Sequence, residues 1–388
     1  MTDGTTRRPR APRDWHATAQ AAWQRVAGSN IAKAPAGAGP SSAWLDFVPE
    51  GVRSLLRTQP GADQPGGWSV PPASWSQPLH RTPPEPNDAP HTPRPDPSGA
   101  GGQFLYGTFT SEAGTRPYRL YVPGSYAGQR VPLIVMLHGC MQSPEDFAAG
   151  TGMNAAAEEH GFLVVYPGQP AAAHAQRCWK WFSAQDQRRD HGEPAIIAGI
   201  TRLVMAEYEV DPARVHVAGL SAGGAEAAIL GQAYPDLYAS IGVHSGLACG
   251  AAQDLPSALL AMQRGNPELR HRRHSARARP MPAIVFHGDR DSVVSPRNAE
   301  DVVAQLAQGA GLRISAEDGQ DPGSYPYRRT LYRDATGRPV IEQWSLLGAG
   351  HAWSGGSEAG SYTDRRGPDA TREMVRFFAE HPHPAPPS

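Results

Sequence analysis

The stretch Arg214-Val-His-Val-Ala-Gly-Leu-Ser-Ala-Gly-Gly-Ala-Glu-Ala-Ala-Ile-Leu-Gly231 decides how the rest of the chain is interpreted. Val215 and Val217 alternate as in a buried strand, and the next residues fit the pattern Gly-x-Ser-x-Gly around Ser221. The Ala-, Ile- and Leu-rich run that follows favours a helix. A strand, a sharp turn and a helix in this order predict a nucleophile elbow. Glycine is expected two residues before and after the serine, because side chains there would crowd the neighbouring strand and helix.

Composition divides the chain unevenly. Of the 39 prolines, 17 lie in the first 100 of the 388 residues, which marks the clearest domain boundary. We therefore expect a largely disordered Pro/Ala/Gly-rich arm and linker over 1–100, a catalytic domain over 101–380 and a Pro-rich tail over 381–388.

The formal net charge of -1 gives no sign of nucleic-acid binding. The basic loop 270–279 is expected to be a solvated surface insertion.

The N-terminal arm contains two short segments, 14–27 and 44–57, that have helical and aromatic character. In one interpretation the arm packs loosely on the catalytic domain or stays free. In the other, its aromatic patches dock on polymer granules or on a partner. No run of eighteen apolar residues is present, so no membrane span is expected. The N-terminus is basic and lacks an apolar segment, which favours a cytoplasmic protein and leaves secretion by another route open.

From Gln103 onward, apolar strands alternate with helical segments. A hairpin is predicted over 103–123, followed by buried strands near 131–138, 162–167, 214–218, 239–246, 281–288 and 340–347. Helices are predicted over 147–160, 194–209, 299–307 and 369–380, as well as after the elbow. This alternation predicts an α/β fold with a mostly parallel sheet and helices on both faces.

A serine hydroxyl needs a base, and that base needs an orienting carboxylate. Two loops at strand ends supply them. His351 lies between small residues after the last strand, and Asp291 follows the preceding strand with Gly-x-x-Asp spacing. Asp289 is the alternative acid, although its position in the turn favours a capping role. The chain order Ser, Asp, His is the order of the α/β-hydrolase fold.

Two backbone N–H groups are expected to form the oxyanion hole: that of Ala222, next to the nucleophile, and that of Cys140, in the loop after the first buried strand. Cys140 and Cys178 lie on two loops at the same sheet edge, so we expect a disulfide between them and a buried thiol at Cys249. Three irregularly spaced cysteines do not form a metal site, and the mechanism requires no cofactor.

Three tryptophans, Trp179, Trp181 and Trp353, flank these loops. Each is either an ordinary core residue or part of a flat apolar wall that holds an acyl chain.

Five motifs in order give the chain a resemblance to a known family. They are His138-Gly-Cys-Met-Gln-Ser, Cys178-Trp-Lys-Trp-Phe, Gly219-Leu-Ser-Ala-Gly-Gly224, His244-Ser-Gly-Leu-Ala-Cys-Gly250 and Gly350-His-Ala-Trp-Ser-Gly-Gly356. Over about 103–378 the chain resembles the poly(3-hydroxybutyrate) depolymerase esterases, which are similar to feruloyl and acetylxylan esterases.

The resemblance implies an α/β-hydrolase domain, a Ser221-Asp291-His351 triad and hydrolysis of short-chain hydroxyalkanoate esters through an acyl-enzyme. It also implies that Cys140 belongs to the oxyanion loop and that Trp353 faces the substrate. Two features depart from the family pattern. No signal peptide or separate substrate-binding domain is recognisable, and Lys180 stands where the family usually has Asn.

The sequence thus predicts a serine esterase without a metal or organic cofactor, acting on a short-chain ester or polyester. The alternatives are a feruloyl or acetylxylan-type carbohydrate esterase, an acyltransferase that uses the same three residues, and a non-catalytic granule-binding protein.

Overall fold

The computed structural model of the protein describes residues 101–270 and 280–384. The whole predicted N-terminal arm (1–100) with its two predicted helical segments lies outside the described residues, as do residues 271–279 of the basic loop and the end of the tail. The predicted granule contact, the predicted cytoplasmic location and the proposed division into arm, domain and tail therefore stay predictions.

Strands and helices alternate along the described chain. The strands are β1 Gln103–Ser111, β2 Gly114–Val122, β3 Val131–Leu137, β4 Leu163–Pro167, β5 Val210–Leu220, β6 Ser240–His244, β7 Ala283–Gly288, β8 Arg313–Gln320, β9 Pro326–Arg333, β10 Pro339–Leu346, β11 Trp353–Ser354 and β12 Thr363–Asp364. The α-helices are α1 Pro144–Thr151, α2 Met153–His160, α3 Gly192–Glu207, α4 Ala222–Ala233, α5 Leu255–Arg264, α6 Arg297–Ala307 and α7 Ala370–Glu380. Two short 3-10 turns lie at Ala184–Gln187 and Pro267–Arg270.

Ten strands form one sheet in the order β1-β2-β4-β3-β5-β6-β7-β10-β9-β8. The six strands from β4 to β10 pair in parallel, whereas β1, β2, β9 and β8 add antiparallel edges. Strands β4, β6 and β7 are buried along their whole length. Continuous burial explains why their sequences are mostly apolar, with polar side chains only near the strand ends, since both faces of the central sheet are covered by helices. The predicted α/β-hydrolase architecture is confirmed.

Neighbouring residues of β6 show that helices cover opposite faces. Gly242 lies against the Met374 side chain of α7, while the preceding residue, Ile241, packs against Gly231 of α4. Because successive strand residues point to opposite faces, α7 and α4 lie on opposite sides of the sheet. The face under α7 carries a buried cluster that includes Phe147, Met153 and Phe377.

One predicted helix needs correction, and two further elements went unpredicted. The helix predicted over 147–160 is two helices, because Gly152 between them adopts a left-handed φ of 66°. Helix α5 and the hairpin β8–β9 were not predicted. Strand β8 is exposed along nearly its whole length, so its sequence lacks the apolar alternation that marks a half-buried strand.

The topology fixes where a site can form. Strands β3, β5, β6, β7 and β10 are consecutive neighbours, and their carboxyl ends lie at one edge of the sheet. Ligand sites of open α/β sheets form at this edge. Within the described ranges, no helix combines the length and apolar character that a bilayer crossing requires.

Candidate active site

The predicted nucleophile, Ser221, lies at the sharp turn between β5 and α4. Its φ of 58° and ψ of -118° fall in a region that L-residues rarely occupy. The elbow is tightly packed against β3: a Cβ on Gly223 would lie 2.0 Å from the Leu137 carbonyl oxygen, and one on Gly219 would lie 2.3 Å from the Gly223 oxygen. The backbone N–H of Ser221 donates to the carbonyl of His244 over 2.9 Å, which ties the turn to β6.

The predicted acid and base are in contact. His351 Nδ1 lies 2.6 Å from Asp291 Oδ2. An ionised carboxylate only accepts hydrogen bonds, so Nδ1 carries the proton and Nε2 is left as the basic nitrogen. Among the described residues no hydrogen bond joins Ser221 Oγ to His351, and such bonds are often long before substrate binds.

Asp291 is buried and surrounded by donors. Its Oδ1 accepts the backbone N–H groups of Val293 and Val294 over 2.9 and 2.8 Å. Burial is the largest influence and by itself raises the pKa of Asp291, but hydrogen bonds from His287 and His351 outweigh it. The pKa of the carboxyl therefore lies well below its ordinary value, and the group stays ionised at neutral pH.

Asp289, the alternative acid, is used elsewhere. Its Oδ1 accepts the N–H of Gly348 over 2.6 Å, and its own N–H donates to the carbonyl of Leu346 over 3.0 Å. Asp289 thus joins the turn after β7 to the start of the loop that carries His351. It is exposed and has the structural role that its place in the turn suggested.

The predicted oxyanion donors lie on two adjacent elements. On the loop after β3, the N–H of Gly139 donates to Gln142 Oε1 over 2.9 Å, and that of Met141 donates to the Gln176 carbonyl over 2.7 Å. In the described part of the chain the N–H groups of Cys140 and Ala222 have no acceptor. Gly139 lies against the elbow, since a Cβ there would be 3.6 Å from Ser221 Cβ.

A disulfide joins Cys140 to Cys178, with Cα atoms 4.3 Å apart. The pairing agrees with the sequence prediction. Cys249 lies outside this bond and is partly exposed rather than buried, because it stands in the loop that follows β6 and not in the strand itself.

Glu193 of α3 anchors the loop that carries Cys178. Its carboxylate contacts Arg116 Nη2 at 3.0 Å, Gln169 Nε2 at 2.5 Å and the Lys180 N–H at 2.6 Å. Gln169 also donates to the Cys178 carbonyl over 2.9 Å. The buried ion pair between Glu193 and Arg116 therefore fixes the loop through the Lys180 backbone N–H. The Lys180 side chain takes no part in this contact.

The prediction that tryptophans form an acyl wall is wrong for Trp179 and Trp353. Trp179 has no exposed surface and donates its indole N–H to the His138 carbonyl over 3.0 Å. Trp353 is 1% exposed and donates to Thr371 Oγ1 over 3.0 Å. Trp181 is also buried and packs edge-to-face on Phe182. An aromatic residue near a strand end belongs here to the core, because these loops fold back onto the sheet.

Two buried histidines at the strand ends support the site and were not predicted as part of it. His244 Nε2 accepts the Ser354 N–H over 3.0 Å, and His138 Nε2 accepts the Gln169 N–H over 3.0 Å. Burial lowers the pKa of His244 to about 3 and that of His138 to about 4. Both rings are therefore neutral. Their positions in the His-Gly-Cys and His-Ser-Gly motifs were the sequence feature that could have predicted a role for them in the site.

Across residues 101–270 and 280–384, no group of three or more His, Cys, Asp or Glu side chains is arranged to hold a metal ion. The site as described consists of a serine, an imidazole, a carboxylate and backbone donors. These are the groups that acyl transfer through a covalent intermediate requires.

Comparison with known proteins agrees with the fold. The structure resembles an acetyl xylan esterase from Aspergillus awamori with a TM-score of 0.57 and 18% identity, over 71% of this chain and 99% of that one. Curated relatives include a poly(3-hydroxyalkanoate) depolymerase C of Paucimonas lemoignei, 31% identical over 256 residues, which are 63% of this chain and 61% of that protein. A feruloyl esterase B of Thermothelomyces thermophilus is 27% identical over 231 residues, 56% of this chain and 78% of that protein.

The fold and these relatives define the class as carboxylic ester hydrolases with the α/β-hydrolase fold. Within that class, residues 116–322 match the family described as Esterase PHB depolymerase. The chain belongs to this family, as the five sequence motifs indicated.

Proposed function

We propose that the protein is a serine esterase that hydrolyses short-chain hydroxyalkanoate esters. In this proposal Ser221 is the nucleophile, His351 is the general base and acid, and Asp291 orients the imidazole. The observation that carries the proposal is the 2.6 Å contact between His351 Nδ1 and Asp291 Oδ2 at the sheet edge where the strained Ser221 turn lies.

The reaction follows from the protons that these groups hold. His351 Nε2 takes the hydroxyl proton as Ser221 Oγ bonds to the ester carbonyl carbon. The N–H groups of Cys140 and Ala222 stabilise the oxyanion that develops. The C–O bond then breaks, and the alcohol leaves with the proton from His351. Water attacks the acyl-enzyme by the same route, which releases the acid and restores Ser221.

Exposed apolar side chains support a neutral, apolar substrate. Met141 is 58% exposed, Val293 40%, Leu347 42% and Tyr362 47%. Met141 follows Cys140, Val293 lies two residues after Asp291, and Leu347 directly follows β10. Exposed apolar groups close to polar site residues are typical of a surface that binds a ligand. They replace the tryptophans as candidates for contact with the acyl chain.

The name of the depolymerase relative supports a polyester substrate, and the name of the feruloyl esterase relative supports an aromatic ester of plant polysaccharide as the second candidate. A panel of a soluble p-nitrophenyl butyrate, 3-hydroxybutyrate oligomers, polyhydroxybutyrate granules, methyl ferulate and acetylated xylan separates them. We expect the highest kcat/KM on hydroxybutyrate esters. Preference for ferulate or acetylxylan would favour the second candidate.

Ser221→Ala tests the mechanism. We expect the turnover of p-nitrophenyl butyrate to fall about 1000-fold or more, because the nucleophile is lost. Ser315→Ala, on the exposed strand β8, is the matched control and should retain wild-type turnover. Normal activity of the Ser221→Ala protein would contradict the proposed mechanism.

A further inference from the structure

A second histidine, His287, contacts the Asp291 carboxylate from inside the protein. It is the penultimate residue of β7 and is 3% exposed. Its Nε2 lies 2.8 Å from the Val294 carbonyl oxygen and 3.3 Å from Asp291 Oδ2. Because the ring is almost completely buried, it has no surface with which to contact a substrate.

The contacts fix the tautomer of this ring. A carbonyl oxygen can only accept, so the proton is on Nε2. The other nitrogen, Nδ1, is buried and has no hydrogen-bond partner in the part of the chain that the structure describes. A proton on Nδ1 would be a buried donor without an acceptor, which is unfavourable. The single Nε2–H is therefore donated to the Val294 carbonyl, and the Asp291 carboxylate lies beside it, with Oδ2 3.3 Å from Nε2.

This N–H places a positive dipole next to the Asp291 carboxylate. Asp291 Oδ1 accepts hydrogen bonds from the backbone N–H groups of Val293 and Val294. Its Oδ2 accepts from His351 Nδ1 and lies 3.3 Å from His287 Nε2. His287 stands before the turn and Val294 ends it, so one side chain closes the turn and limits rotation of the carboxylate. The neighbouring titratable groups that interact with this cluster are His351 and His244.

We propose that His287 is a positioning residue that aims Asp291 Oδ2 at His351 Nδ1. The inference rests on the proposed function, in which Asp291 orients the base. His287 acts through Asp291 and does not touch the reacting atoms. Its loss should therefore lower kcat and leave KM for the ester nearly unchanged.

Two substitutions that differ by one methylene group test the proposal. His287→Gln can place an amide N–H where Nε2 was, whereas the shorter His287→Asn cannot reach Asp291. We expect His287→Asn to lower kcat about tenfold or more with KM within about threefold of wild type. His287→Gln should stay within about threefold of wild-type kcat. Equal kcat values for two folded variants with matching urea midpoints would overturn the proposal.

A double-mutant cycle with Asp291→Asn shows whether His287 acts through the carboxylate. We expect His287→Asn to cost less than about threefold in the Asp291→Asn background, because the carboxylate is already absent. The same loss of kcat in both backgrounds would assign His287 a purely structural role. Asp291→Asn or Ser221→Ala with wild-type activity would instead contradict the proposed function, whatever His287 does.

The tautomer of His287 can also be measured on the wild-type protein, which avoids any question of whether a variant folds. Long-range proton–nitrogen NMR of the imidazoles should show His287 with the proton on Nε2 and an unprotonated Nδ1. A proton on Nδ1 would overturn the proposal, since the N–H would then point away from Asp291.

Discussion

Reduction of the Cys140–Cys178 disulfide is expected to destabilise the fold and to loosen the loop after β3 that carries Cys140. The bond closes a loop with a sequence separation of 38 residues. The chain-entropy relation for a loop of this length gives a stabilisation of about 4 kcal/mol. That is a large part of the roughly 5–15 kcal/mol by which a typical domain is stable.

The effect on catalysis should be partial. The bond fixes the side chain of Cys140, whose N–H is the proposed oxyanion donor. Other contacts hold the same region without the disulfide: the Met141 N–H bonds to the Gln176 carbonyl over 2.7 Å, and Glu193 holds the loop at Lys180. Complete removal of an oxyanion donor costs about 100- to 1000-fold in kcat. We expect a loss of about tenfold to 100-fold, because the donor is loosened and not removed.

Urea unfolding with and without a phosphine reductant measures the first effect. The reductant should lower the unfolding free energy of the wild type by about 4 kcal/mol and should leave Cys178→Ala, which cannot form the bond, unchanged. Cys249→Ser is the control and should respond like wild type. A reductant-induced change below about 1 kcal/mol, or full activity of the Cys178→Ala protein on p-nitrophenyl butyrate, would refute the reasoning.

Two further changes test the packing beneath the site. Gly223→Ala should destabilise the protein by about 3 kcal/mol or more in urea unfolding, since the new Cβ would meet the Leu137 carbonyl oxygen at 2.0 Å; Gly350→Ala, which meets nothing within 4 Å, should change stability by less than about 0.5 kcal/mol. Burial raises the pKa of Glu226 well above its ordinary value, and neither of its oxygens has a hydrogen-bond partner among the described residues. Above the unfolded-state pKa near 4.5, the unfolded chain loses this proton while the folded protein keeps it, so wild-type stability falls as pH rises. The unfolding free energy of the Glu226→Gln protein, relative to that of wild type, should therefore rise by up to about 1.4 kcal/mol for each pH unit above that value. A difference in urea unfolding free energy that does not change with pH would argue against a protonated Glu226.

Most of the fold could be predicted because the central strands are buried on both faces. Burial on both faces forces apolar runs such as Leu163–Pro167, and these runs stand out in a sequence. The β8–β9 hairpin escaped prediction for the opposite reason. Its outer strand is supported by pairing with β9 and by surface contacts such as Arg328–Asp318 at 2.7 Å, which leave no hydrophobic pattern.

The site was predicted unevenly for a similar reason. Ser221, Asp291 and His351 follow predicted strands with recognisable spacing, so the sequence alone identifies them as candidate site residues. The choice between Asp289 and Asp291 depends on which carboxylate points towards His351. The spacing of residues in the sequence does not reveal the direction in which a side chain points. The tryptophans were misjudged because an aromatic side chain near a strand end has the same sequence pattern whether it faces the core or a cleft.

The loops that carry Asp291 and His351 are joined by hydrogen bonds between their own residues. The Arg290 N–H donates to the Ala349 carbonyl over 3.0 Å, and Asp289 holds the Gly348 N–H. The elbow is held separately, by the His244 carbonyl on β6. Because main-chain hydrogen bonds and the Asp289 side chain hold this geometry, we expect substitutions of exposed residues such as Met141 and Leu347 to leave Asp291 and His351 in place. We call the exposed apolar side chains of Met141, Val293 and Leu347 the rim of the site. Substrate preference should therefore respond to substitutions in the rim, whereas the rate of the chemical step should respond to substitutions beneath it.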